Sequence, residues 1–128
     1  MEATNNLPIR FEELPTASQA FIKAHFADET PRLVMVEKAL TSTAYTVRFA
    51  SGIEIDFLGN GDWKEIEGEG RCISAAFLPE AIRKYLNAHH AGCCITEINR
   101  EWHKYEVELS GDLELTFNSQ GEFLRYDD

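Results

Sequence analysis

Apolar and polar residues alternate one by one over parts of this chain and fall at three-and-four spacing over others. Tyr45, Val47 and Phe49 alternate with Thr46, Arg48 and Ala50, and Ile53, Ile55 and Phe57 alternate with Glu54 and Asp56. A period of two predicts strands with one buried and one polar face. Ser51-Gly52 separates these two strands as a turn. Asn60-Gly61, the strongest short hairpin signal in the chain, leads into a further strand through Trp63 and Ile66. The same order returns downstream. Tyr105, Val107 and Leu109 precede a turn at Ser110-Gly111-Asp112, then Leu113, Leu115 and Phe117, a turn at Gln120-Gly121, and a strand from Phe123 to Tyr126. Residues 33–38 and 95–99 supply the first strand of each set.

Helical spacing precedes each set of strands. Ala17, Ala20, Phe21, Ala24 and His25 form one modest apolar stripe, started by Pro15 and a capping box from Thr16 to Gln19. Ala81, Ile82, Tyr85, Leu86 and His89 form a second, opened by Pro79 and Glu80 and stopped by Gly92.

The two halves match each other in order and spacing. Tyr45-Thr46-Val47-Arg48-Phe49 returns 60 positions on as Tyr105-Glu106-Val107-Glu108-Leu109. Glu54-Ile55-Asp56-Phe57 returns as Glu114-Leu115-Thr116-Phe117, and Gly61-Asp62-Trp63 as Gly121-Glu122-Phe123. Leu14-Pro15 and Ala24-His25 return 64 positions on, as Leu78-Pro79 and Ala88-His89. The four-residue difference falls between helix and first strand, where an insertion costs little. The chain therefore reads as a single domain, 1–128, made of two copies of one unit, about 11–67 and 75–127, with Gly68-Glu69-Gly70 in the joint. The expected fold class is α+β: two repeats of one helix plus a four-stranded antiparallel meander. The helices pack on one face of a continuous antiparallel sheet and leave the other open.

Charge narrows the function. Twelve Lys and Arg against 22 Asp and Glu give a net charge of −10. That excludes the basic footprint a nucleic-acid binder needs and disfavours an anionic membrane surface. No apolar run approaches the roughly 18 residues of a membrane span, so no membrane insertion is expected. The first six residues carry neither a basic nor an apolar leader region, so no signal peptide is expected within the chain. Three cysteines, Cys72, Cys93 and Cys94, make an odd count, and free, largely buried thiols are the expectation.

The order Leu-Pro, helix, Tyr-x-Val-x-Phe, Gly, Glu-Ile-Asp-Phe, Gly-x-Trp, followed by a second copy, resembles the PepSY-like, beta-lactamase-inhibitor-like tandem-repeat proteins of Bacteroidetes. The resemblance runs from about Phe11 to Tyr126. It implies a beta-lactamase-inhibitor-protein-like fold and a non-enzymatic, exported binder or inhibitor, periplasmic or secreted. Its motifs are structural, and no pattern of target-contacting residues carries over.

The candidate surface is the open strand face, with Arg48, Glu54, Asp56, Glu106, Glu108 and Glu114. An acidic face of this kind steers a basic partner. Trp63 and Ile66 have opposite parity along their strand, as do Phe123 and Tyr126, so one of each pair points outward unless a bulge intervenes. Trp63 and Trp102 join the candidate list as aromatic anchors. No cofactor and no metal are expected. His89-His90-x-x-Cys93-Cys94 resembles a ligand set, but Gly92 interrupts it. Glu65, Glu67 and Glu69 lack the spacing of an EF-hand loop and read as a solvated edge. No phosphate-binding loop or nucleophile motif occurs, so catalysis ranks last. The expected function is a protein-binding module, an inhibitor among its forms. A small-ligand or ion-sensing envelope protein and a self-associating subunit are the alternatives.

Overall fold

The computed structural model describes residues 5–101 and 103–127. The fold is α+β, with two α-helices and nine strands among the described residues. Contacts divide the chain into two compact units, one ending at Glu65 and one beginning at Ile66.

In the first unit, β1 (Asn5–Pro8) is followed by α1 (Thr16–His25), β2 (Pro31–Lys38), β3 (Thr43–Phe49), β4 (Glu54–Leu58) and β5 (Trp63–Glu67), whose last two residues fall in the second unit. The strands lie in chain order, and β1 to β4 pair antiparallel. Val47 and Phe49 of β3 and Ile55 and Phe57 of β4 are buried on the side that α1 covers. Phe21 of α1 meets Phe57 edge-on at 6.3 Å and stacks on Trp63 at 6.1 Å. Full burial of such side chains contributes roughly 1.5–3 kcal/mol each.

The second unit has α2 (Glu80–His89), β6 (Ile95–Glu101), β7 (Lys104–Leu109), β8 (Leu113–Asn118) and β9 (Phe123–Asp127). Its strands also pair antiparallel in chain order. Ile98, Val107, Leu109, Leu115 and Phe117 are buried with Leu78, Ile82 and Leu86 from the helix side. Tyr85 meets Phe117 edge-on at 5.7 Å and stacks on Phe123 at 4.5 Å.

Several expectations need correction. The buried line of α1 is not the alanine stripe: Ala17, Ala20, Ala24 and His25 are exposed, and Ser18 and Ile22 are buried, continuing from Leu14 to Phe26. A serine holds a core position because its hydroxyl is satisfied there. Ser18 Oγ donates to the Gly61 carbonyl at 2.8 Å. In α2 the buried line is likewise Leu78, Ile82 and Leu86, with Ala81 and His89 exposed. The Thr16–Gln19 capping box is absent. Pro15 takes the N-cap, and Gln19 Nε2 instead donates to the carbonyls of Leu14 and Glu12 at 2.9 and 3.1 Å.

The first unit carries a strand that the alternation did not predict. All four residues of β1 are exposed, so no pattern marks it; pairing with β2, from Asn5 opposite Lys38 to Pro8 opposite Met35, creates it. The cysteines are not all free: Cys72 and Cys94 form a disulfide with Cα atoms 5.1 Å apart, and Cys93 is free and exposed. Spacing along the chain hides this pair. The connection after β5 runs back along β6, where Ile73 N–H donates to Ile95 O at 2.9 Å, and that places Cys72 beside Cys94. Closing a loop of 22 residues contributes roughly 3 kcal/mol in the chain-entropy account.

The turn before β5 is seated on the helix start. A Cβ on Gly61 would lie 2.8 Å from Pro15 Cβ, and Gly61 has φ +96°. Gly121 occupies the matching place: a Cβ on it would lie 3.3 Å from Pro79 Cβ and 3.1 Å from Ala81 Cβ. Gly111 has a similar φ of +90° with open space around it. Gly61→Ala should therefore lower unfolding free energy by roughly 2–4 kcal/mol, combining backbone strain with overpacking. Gly111→Ala should lower it by only about 1–2 kcal/mol. Urea titration of both variants checks this; equal losses would mean that the helix yields freely to the turn.

Candidate functional site: the polar strand face

Alternation along the strands sends every second side chain away from the helix. In the first unit, Arg48 on β3 lies directly opposite Glu54 on β4. Its guanidinium donates to Glu54 Oε1 from Nε at 3.1 Å and from Nη2 at 2.7 Å. Two register positions on, Thr46 lies opposite Asp56 and donates Oγ1–H to Oδ1 at 2.9 Å. Burial raises the Asp56 carboxyl above its ordinary value of 3.8. The Thr46 hydrogen bond opposes that shift, while Glu54 and Glu65 add to it. The Glu54 and Asp56 carboxylate oxygens lie within 4.8 Å of one another. The charges of this unit are mostly answered by their cross-strand neighbours.

The second unit is different. Glu97 on β6 faces Glu108 on β7, Glu108 faces Glu114 on β8, and Glu114 faces Asp127 on β9. Four acids thus form one line across four strands. Like charges directly opposite are destabilising, by a few tenths to about 1 kcal/mol per pair. The adjacent line is Asn99, Glu106, Thr116 and Arg125. Local partners soften the repulsion. Thr96 donates to Glu108 Oε1 at 3.1 Å, Arg125 Nε lies 3.3 Å from Asp127 Oδ2, and Lys104 Nζ lies 3.9 Å from Glu106 Oε1. Glu114 nevertheless sits above its ordinary value of 4.5. Burial is the first cause, followed by the Glu106 charge and a hydrogen bond between the two carboxyls, then Asp127 and Glu108. Asn99 Oδ1 is a buried acceptor with no hydrogen-bond partner among the described residues.

The structure thus brings Glu106, Glu108 and Glu114 together and pairs Arg48, Glu54 and Asp56 within the first unit. Trp63 is corrected: it is 6% exposed, and Ile66 three residues on is also buried, so Trp63 belongs to the core. Trp102 lies outside the described residues. Glu97 and Asp127 complete the acidic line but were not singled out in the sequence. Bulges hide their parity, one between Ile95 and Glu97 and one where β9 carries Leu124 between the partners of Thr116 and Phe117. The second bulge also settles the ring pair. Phe123 and Tyr126 share a side at 4.7 Å, and Tyr126 remains 45% exposed.

Tyr126 hydroxyl lies 2.8 Å from Tyr85 hydroxyl and 3.0 Å from His90 Nε2. The Tyr85 hydroxyl is pushed up to about 12, first by its hydrogen bond to Tyr126. His90 is therefore engaged, and Cys94 is held in the disulfide, so the His89–Cys94 segment does not offer the ligand set its spacing suggested.

The chain is similar to known proteins in sequence and in fold. A family model described as beta-lactamase-inhibitor-like and PepSY-like matches residues 43–125. A Bacteroides thetaiotaomicron protein, described as calcium-regulated and periplasmic, is 30% identical with a TM-score of 0.89, covering 96% of this chain and 97% of its own. A Bacteroides vulgatus periplasmic protein of the DUF2874 family is 31% identical with a TM-score of 0.88, covering 97% and 98%. A further Bacteroides vulgatus periplasmic protein of unknown function is 33% identical with a TM-score of 0.87, covering 97% and 100%. No curated protein matches.

The raised Glu114 carboxyl fixes the sign of a pH effect. A carboxyl raised on folding binds its proton more tightly in the native state, so its contribution is most favourable in acid. That contribution is lost as pH rises from about 4.5 through the raised folded value. Glu114→Gln, which keeps a donor toward Glu106, should be more stable than the native chain at pH 7 by a few tenths to about 1 kcal/mol. Below about pH 4 the two should converge. Urea titrations at both pH values check the sign.

Proposed function

The chain belongs to the PepSY-like, beta-lactamase-inhibitor-like family, and from that premise we propose that it is a non-enzymatic module that binds a basic surface of another protein. The observation that carries this reading is the line Glu97, Glu108, Glu114 and Asp127. A sheet held together only for stability would alternate charge across strands, as Arg48 and Glu54 do. A face that keeps four acids in register gives up some stability and gains a directional field for a cationic partner. Inhibition of an enzyme is one form such binding takes, in keeping with the family description. A duplicated helix-and-meander unit, 11–67 and 75–127, and a periplasmic address belong to the same reading. Support for the first is the matching seat of Gly61 and Gly121 on their helix starts. Support for the second is the periplasmic description of the similar proteins and the Cys72–Cys94 disulfide, a bond that persists in oxidising compartments.

A second reading, cation sensing, is favoured by one specific pair of observations. Glu54 and Asp56 offer carboxylate oxygens within 4.8 Å of one another, and one of the similar proteins is described as calcium-regulated.

The test is capture from periplasmic and cytoplasmic extracts of the source organism on immobilised protein. The double variant Glu108→Lys, Glu114→Lys runs alongside. A protein held by the native chain and lost by the folded variant is the expected result, with association slowing as salt rises. Retention of the same proteins by both would exclude the acidic line as the contact. Calcium heat in a calorimetric titration, abolished by Glu54→Gln with Asp56→Asn, would favour the second reading.

A further inference from the structure

The second unit holds a free thiol directly beside its disulfide. Cys72 is exposed, its disulfide partner Cys94 is half-buried, and Cys93 is free and exposed. Cys93 and Cys94 are consecutive, so their Cα atoms are about 3.8 Å apart. With Cys72 and Cys94 Cα atoms at 5.1 Å, Cys93 Cα lies at most about 9 Å from that of Cys72. A disulfide spans about 4.4–6.8 Å between Cα atoms, so a turn of the local backbone is enough to bring the second thiol into range. That turn is closed by the bond from Cys93 N–H to His90 O at 3.1 Å, which exchange has to give up, and it is otherwise exposed. Ala91, Gly92 and Cys93 are all exposed, Gly92 has φ +80°, and nothing lies within 4 Å of where its Cβ would be.

We propose that the three cysteines form an exchange set in which Cys72 alternates between Cys94 and Cys93. The Cys93 thiol gives its proton to solvent, and the thiolate attacks the accessible sulfur of the bond, Cys72 Sγ. The Cys72–Cys94 bond breaks as the Cys72–Cys93 bond forms, and Cys94 leaves as a thiolate that takes up a proton. Each isomer holds one disulfide and one thiol, so no oxidant or reductant enters. The buried side of the bond favours Cys94 as the resting partner.

The consequence reaches a cavity of about 280 Å³ beside α2, lined among others by Ile73, Arg83, Leu86, His90, Cys93 and Ile95. In the resting isomer Cys93, with its free thiol, is one of the residues lining it. Exchange withdraws that thiol toward Cys72 and pulls on the segment whose Ile73 N–H is bonded to Ile95 O. The cavity therefore has two shapes, chosen by which of two adjacent cysteines is bonded.

The experiment is thiol mapping of the purified native chain. The protein stands at pH 8, is alkylated rapidly, and is cut without reduction for mass spectrometry. One thiol per chain is expected throughout, with most label on Cys93 and roughly 1–10% on Cys94, the range of a minor state. Label confined to Cys93 overturns the proposal. Cys94→Ser gives a second reading, with circular dichroism showing that it folds. In a glutathione buffer the folded variant should close Cys72–Cys93 with an equilibrium constant about 10–100-fold below that of the native bond, the same ratio that the label on Cys94 reports. Two thiols left open to alkylation in that variant would equally overturn it.

Discussion

The contact on which each unit depends is the one between a glycine turn and the first turn of a helix. Gly61 approaches Pro15 so closely that no side chain fits between them, and its carbonyl takes the Ser18 hydroxyl as a buried donor. Hydrophobic burial is not directional, and by itself it would let α1 slide along the strands. One satisfied hydrogen bond and one steric seat fix where the helix sits. Once it is fixed, Phe21 falls against Phe57 and Trp63, and Phe26 against Phe49. The remaining face of the strands carries the polar residues Arg48, Glu54 and Asp56. Gly121 holds the equivalent position against Pro79 and Ala81, and Tyr85 falls against Phe117 and Phe123.

The two units differ around their helices. Around Phe21 and Trp63 the first is closed and apolar, with Trp63 buried. Around Tyr85 and Phe123 the second is wetter, with two hydroxyls and an imidazole in contact at the surface. The polar faces differ in the same direction. The first unit answers Glu54 with Arg48 and Asp56 with Thr46, whereas the second lines up acid against acid. A helix fixed on one side leaves the other side free to vary without loss of the core, and function is carried by such sites and not by the scaffold.

Much of the framework was legible because it rests on periodicity. Val47, Phe49, Ile55 and Phe57 alternate cleanly, and they are the core. What the periodicity missed has identifiable causes. Ser18 escapes the pattern because serine is polar, although a donor with an acceptor in reach can occupy a core site. β1 carries no pattern, since a fully exposed strand exists only through its neighbour. The disulfide depends on where a loop returns, which no local signal encodes. Of the candidate face, the members on regular strands were found, namely Arg48, Glu54, Asp56, Glu106, Glu108 and Glu114. Glu97 and Asp127 were missed because each lies beyond a bulge, and alternation fails to count past one.

The bulge in β9 has a consequence for comparing this chain with its relatives. Leu124 is the supernumerary residue, 51% exposed, between Phe123 opposite Phe117 and Arg125 opposite Thr116. Loss of that one residue would leave Phe123 and Tyr126 on the helix side and Arg125 and Asp127 on the other. A single-residue deletion in a regular strand sends its buried set to the solvent face. Here a gap in an alignment would record only the disappearance of a kink. Homologues one residue shorter at this point are therefore to be aligned with their acids still in line.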